Sequence, residues 1–99
     1  MSDYTDWVRT QPCCITGAIG DFVDPHHIKG YAHVTGAGGK LKGSDLACIP
    51  LRHDLHNELH SIGWQSFEKK YNINQLEEAW KTLLQADALG IIKICQIQN

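Results

Sequence analysis

The stretch "HDLHNELH", residues 53–60, carries three histidines in eight positions, two of them four apart at His56 and His60. A helix is expected from Arg52 through Ser61, closed by Gly63 as a C-terminal glycine. Residues i and i+4 share one face of such a helix a single turn apart, so His56 and His60 can hold one ion together. Surface helices also carry such pairs with no metal. Two ligands do not make a site, and the third has to come from elsewhere in the chain.

An acid between two histidines invites comparison with H-E-x-x-H, in which the glutamate directly follows the first histidine and acts as base. Here Asn57 holds that place and Glu58 comes one position later. At about 100° per residue Glu58 points roughly 200° around the helix from His56, away from any ion held by the pair. The peptidase pattern is excluded by this offset, and Glu58 reads as a solvated side chain. His53 at the helix start and His33 in a glycine loop read as solvated or phosphate-touching.

The missing ligand is offered by "DPHHIKG", residues 24–30. Adjacent residues of a strand point to opposite faces, so one of His26 and His27 can face a metal while the other faces a different partner. The plain alternative is two solvated turn histidines. A paired histidine, a glycine-rich loop, a short apolar run and then a helix with His-x-x-x-His is a much more specific combination than any of its parts.

Around these motifs the chain reads in short pieces. "SDYTDWVRTQ" predicts a short helix with Ser2 or Asp3 as N-cap and Pro12 beyond its end. "CCITGAIGDFVDPHHI" predicts a hairpin or irregular strand pair broken at Gly17 and Gly20. A loop rich in glycine follows, with Lys29, Lys40 and Lys42 in or beside it, and then "LACIPL", residues 46–51, as a buried strand with Pro50 near its end. Trp64, Phe67 and Tyr71 predict a second short helix. Asn74 with Glu77 opens a third, its face formed by Ile73, Leu76, Trp80, Leu83 and Leu84. Gly90 ends it, and "IIKICQI" is either a strand or a helical tail. Trp7, Trp64 and Trp80 read as core residues, and "GAGGKL" fails as a phosphate loop because the glycine spacing is wrong and Leu41 replaces Ser or Thr.

The whole chain is 99 residues, 42% apolar and 20% charged, which suits one folded domain. No apolar run approaches the roughly 18–20 residues of a membrane span, and the N-terminus lacks the pattern of a signal peptide, so a cytoplasmic protein is expected. The formal net charge of −2 argues against gripping nucleic acid by charge alone. Cys13, Cys14, Cys48 and Cys95 contain no C-x-x-C pair, so reduced, mostly buried thiols are expected.

Taken together, "PCCITG", "DPHHIKG" and "GGKLKGSDLACIPLRHDLHNELHSIG" resemble the HNH nuclease motif, especially small phage nucleases of the recombination-enhancement (Ref-like) type. "GWQSFEKKYNINQLEEAW" is similar to the segment that follows their last histidine, and the likeness spans roughly residues 12–82. The resemblance implies an α+β fold: a small ββα-metal core with a β-hairpin and a metal-ligand helix, plus additional N- and C-terminal helices. It implies one domain over 1–99, with its core at about 12–63 and a helical extension at about 64–99. His26, at the end of the second hairpin strand, would be a metal ligand with His56 and His60, and His27 would be the general base. One divalent ion is implied, whether zinc, magnesium, manganese or nickel. Lys29, Lys40, Lys42 and Arg52 would contact DNA, and a RecA-type recombinase in a bacterial host is the partner the Ref-like likeness implies.

The chemistry of phosphodiester hydrolysis agrees with those roles, since it needs an activated water and stabilisation of growing charge on oxygen. Histidine suits the base, and imidazole ligands favour transition ions. Two departures stand out. The asparagine usual before the helix is absent from "GSDLAC", which makes Asp45 the candidate substitute that orients His27 or ligates the ion. Arg52 also stands where relatives commonly keep a cysteine, so a structural zinc is not expected. A non-catalytic, metal-stabilised module that binds DNA or a recombinase is the alternative reading.

Overall fold

The computed structural model describes residues 3–20, 22–31 and 45–92. His33, Lys40, Lys42 and Cys95, with the tail from residue 93 onward, lie outside the described residues. The described chain runs through helix α1 (Asp3–Val8), strands β1 (Val23–His27) and β2 (Cys48–Arg52), and helices α2 (His53–Ile62), α3 (Trp64–Tyr71) and α4 (Gln75–Ala88). This is a small α+β arrangement of one two-stranded antiparallel sheet and several helices. None of the described helices is long and apolar enough to cross a membrane.

The strand pairing differs from the expected one. β1 pairs with β2 across residues 28–47, with Val23 opposite Arg52, Pro25 opposite Pro50 and His27 opposite Cys48. Residues 13–20 form turns instead of a strand. Gly17 N–H donates to the Cys13 carbonyl and Cys13 N–H to the Ala18 carbonyl, both at 2.8 Å. Gly17 and Gly20 sit at φ 75° and 103°, which takes this segment out of extended geometry. His26 and His27 consequently end the first strand of the pair, not the second. The facing prolines are tolerated because the Pro50 carbonyl turns away from β1 and accepts the Cys14 N–H at 2.9 Å.

Apolar burial then positions the histidine helix. β2 runs directly into α2 with no loop between Arg52 and His53. Leu55 and Leu59, one turn apart on α2, pack with Cys13, Leu51 and Phe67 in a cluster bordered by Trp64, Tyr71 and Ile73. Each large side chain buried in this way contributes about 1.5–3 kcal/mol. His56 and His60 sit one residue further round than Leu55 and Leu59, so the row that anchors α2 also aims the histidines. Gly63, at φ 90°, closes α2 with its N–H on the Leu59 carbonyl. No disulfide joins Cys13, Cys14 and Cys48 to one another.

Two expectations need correction. Glu58 is not a solvated bystander: it accepts hydrogen bonds from Lys70 and Tyr71 and ties α2 to α3. The buried face of α4 is Gln75, Ala79, Thr82 and Ala86, whereas Trp80 and Leu84 are 54% and 44% exposed. The small row wins because it lets α4 approach closely. Ala79 meets Ile28 and Ile49, and Ala86 meets Tyr4 and Val8 of α1. Trp80 is therefore not core, while Trp7 and Trp64 are half-buried. The start of α4 is as expected, with Asn74 Oδ1 accepting the Glu77 N–H at 2.8 Å.

The chain leaving β1 is pinned at Gly30. Its φ is 86°, and a Cβ there would lie 2.3 Å from the Trp64 ring. Gly30→Ala combines left-handed strain with overpacking and should cost about 2–4 kcal/mol. A urea midpoint no lower than that of the unmodified protein would show that Trp64 does not rest on this backbone.

Candidate metal centre

His26, His56 and His60 each bring one ring nitrogen to within 4.8 Å of the other two. β1 supplies the first, 1% exposed, and α2 the other two. The ring centroids lie 4.9 Å apart for His26 and His56, 5.8 Å for His26 and His60, and 4.8 Å for His56 and His60.

The hydrogen bonds decide which nitrogens are free. His26 Nε2 lies 2.8 Å from Gln75 Oε1, an amide oxygen that only accepts, so Nε2 carries the proton and Nδ1 keeps its lone pair. Asp24 Oδ2 accepts from His56 Nδ1 at 3.0 Å and from His53 Nδ1 at 2.8 Å. This leaves His56 Nε2 unprotonated and 3.1 Å from His60 Nε2. That separation is close to the roughly 3.3 Å edge of a tetrahedron with metal–nitrogen bonds of about 2.0–2.1 Å. The three imidazoles could hold a transition ion, and Gln75 and Asp24 stand as outer hydrogen-bond partners to His26 and His56.

Electrostatics favour the neutral forms of His26 and His60. Burial, reinforced by His56, His60 and Lys29, drives the His26 pKa down to about 3 against the opposing bond from Gln75. Burial also lowers His60, with His56 and Lys29 adding to it. For Asp24, burial favours the protonated acid, but the bonds from His56 and His53 outweigh it and hold the carboxyl below its usual range.

Beside the cluster lies an open cleft of about 420 Å³ lined by Thr5, Arg9, Asp24, Pro25, His27, Asp45 and His56. His27 Nε2 donates to Asp45 Oδ1 at 2.8 Å, so its Nδ1 is the nitrogen able to accept a proton. His27 is partly exposed and His26 buried. The two motifs thus meet: His26 joins His56 and His60, and His27 joins Asp45. Of the proposed DNA contacts, Lys40 and Lys42 lie outside the described residues, and neither Lys29 nor Arg52 lines the cleft. Arg52 forks onto Asp54, Nε to Oδ1 at 2.6 Å and the terminal nitrogen to Oδ2 at 2.9 Å, and Lys29 is exposed at the end of β1.

Four site residues escaped the sequence reading. Asp24 was legible in principle, as a carboxylate two positions before His26 on the same strand face. Gln75, Thr5 and Arg9 had no local signal, because only tertiary packing brings α1 and α4 to β1.

Fold and site together define a small α+β domain in which a three-histidine cluster adjoins an acid-held histidine in a cleft. Residues 1–90 match the family described as "Protein of unknown function (DUF968)", and the chain belongs to it. Over 90 residues it is 42% identical to "Uncharacterized protein YdfU" of Escherichia coli (strain K12), which covers 90% of this chain and 24% of that protein. The chain thus spans about a quarter of that relative's length. No solved structure matches.

A pH prediction follows from His26. Its folded pKa is below that of an ordinary histidine, so between about 6.5 and 3 the unfolded chain binds the extra proton and stability falls as pH falls. His60 shifts in the same direction. Metal-free protein should lose urea resistance steadily from pH 7 to pH 4.5, and a flat profile would contradict a neutral, buried His26.

Proposed function

We propose that the domain is a metal-dependent endonuclease of the HNH (ββα-metal) type that hydrolyses DNA phosphodiester bonds. The observation that carries this reading is that His56, one of the clustered histidines His26, His56 and His60, lines the same cleft as the His27–Asp45 pair. In this reading β1, β2 and α2 are the ββα core. His26, His56 and His60 would hold one divalent ion, whose charge, when bound, would stabilise the negative charge growing on the phosphate and leaving oxygens.

The chain's own groups do the rest. Asp45 accepts the Nε2 proton of His27, fixing the ring and leaving Nδ1 to take a proton from the attacking water. Asp45 would thereby fill the part of the absent asparagine. Asp24 holds His56 from behind, as Gln75 holds His26. Arg9 lines the cleft and makes no ion pair with any described residue, which suits it to a phosphate oxygen. The location in the bacterial cytoplasm and a RecA-type recombinase partner follow from the Ref-like resemblance and belong to the same proposal.

One observation favours the non-catalytic DNA- or recombinase-binding module. Asp54 neutralises Arg52 in a chain already at net −2. The two readings part on cleavage. Purified protein should nick plasmid DNA with at least one of Mg²⁺, Mn²⁺, Ni²⁺ or Zn²⁺. His27→Ala should slow this about 10²–10⁴-fold while metal binding persists, whereas His56→Ala/His60→Ala should lose both. Absence of nicking with every ion, with and without a recombinase filament, rejects the nuclease reading. In an active enzyme Arg9→Ala should raise KM and reduce the salt dependence of DNA binding by about one unit of slope.

A further inference from the structure

Gln75 is the first residue of α4, 49 positions along the chain from His26, and it is completely buried. Its amide is engaged on both sides. Oε1 accepts the His26 Nε2–H at 2.8 Å and the Lys29 N–H at 3.3 Å. Nε2 donates to the Lys29 carbonyl at 3.1 Å and to Glu68 Oε2 at 3.3 Å. The same Glu68 oxygen accepts the backbone N–H of Gln75 at 2.9 Å and the Tyr31 hydroxyl at 3.0 Å. Asn74 Nδ2 donates to that hydroxyl at 3.2 Å.

This network permits one amide orientation. Turned over, Gln75 would set its NH₂ against the Lys29 N–H and its oxygen against both the Lys29 carbonyl and the Glu68 carboxylate. Each of those contacts is repulsive in a buried site. With the amide fixed, His26 can only present a proton on Nε2 and a lone pair on Nδ1. We propose that Gln75 is a positioning residue for the metal centre, selecting the His26 tautomer that leaves Nδ1 free to ligate. The helices after Gly63 then form part of the centre instead of extending a core that is complete without them. Glu68 on α3 and Tyr31 beyond β1 hold Gln75, so the site and the packing of α3 and α4 onto β1 are one cooperative unit.

The inference rests on the metal-ligand part of the reading above and is independent of whether the domain cleaves DNA. It is tested on the full chain with two variants. Gln75→Met keeps volume and removes both hydrogen-bonding ends. Gln75→Glu/Glu68→Gln exchanges carboxylate and amide, keeping an acceptor for His26 Nε2–H and the charge of the pair while giving up the donor to the Lys29 carbonyl. In metal-free protein, long-range ¹H–¹⁵N correlation should give His26 of the unmodified chain as a single Nε2–H tautomer. Gln75→Met should give a mixture, and the double variant should restore the single form. Zinc affinity by competition should fall about 10–100-fold in Gln75→Met and recover most of that loss in the double variant.

A folded Gln75→Met that keeps the tautomer and binds zinc like the unmodified protein overturns the inference and leaves the centre intact. If Gln75→Met does not fold, the double variant decides. Unmodified tautomer and affinity in it support the inference, and weak binding despite the unmodified tautomer overturns it. An unmodified protein that binds neither zinc nor nickel overturns the centre, and the inference falls with it.

Discussion

A histidine that is 1% exposed has to be neutral, and each of its ring nitrogens needs a partner. His26 imposes that constraint on the whole domain. One nitrogen is met by Gln75, which brings α4 onto β1. The ring also meets the two histidines of α2 edge-on, which brings the helix after β2 against the same strand. A two-stranded ribbon of five-residue strands is marginal alone. Here it is enclosed by the elements that His26 gathers. The low pKa of His26 therefore belongs to the fold as much as to the site.

The sequence was most readable where local rules act without competition. Gly63 after the histidine helix and Asn74 with Glu77 before α4 are local signals, and the structure keeps both. The apolar run ending in Leu51 did become a buried strand. Reading failed where two patterns of similar strength competed. On α4 the large row with Trp80 and Leu84 and the small row with Ala79 and Ala86 both repeat at helical spacing. Only the closeness of α1 and the ribbon selects the small one. The partner of β1 was misjudged for a related reason: which two strands pair is not written in either strand.

The candidate site divides in the same way. His26, His27, His56 and His60 were visible because two of them are adjacent and two are spaced by one helical turn. Asp45 was visible only as the residue near a missing asparagine, yet it lies 2.8 Å from His27. The residues that orient the histidine cluster are an aspartate and a glutamine, types so common outside sites that neither attracts attention alone. Ligand residues need a pattern, whereas their supporting residues need only to arrive, so the supports leave little trace in sequence.

Under the proposed nuclease reading, the charge of the cleft bears on how an acidic protein could meet a phosphate group. Two carboxylates, Asp24 and Asp45, line the cleft, and alone they would repel a polyanion. Neither is alone. Asp24 accepts from His53 and His56, and Asp45 accepts from His27, so each turns its charge toward an imidazole. Each carboxylate fixes the orientation of its imidazole and the ring nitrogen that carries the proton. Arg9, with no acid partner among the described residues, lines the same cleft and would, in the proposed reading, meet the incoming anion. Net charge is a property of the whole chain, and the distribution inside this cleft is what a phosphate group would meet.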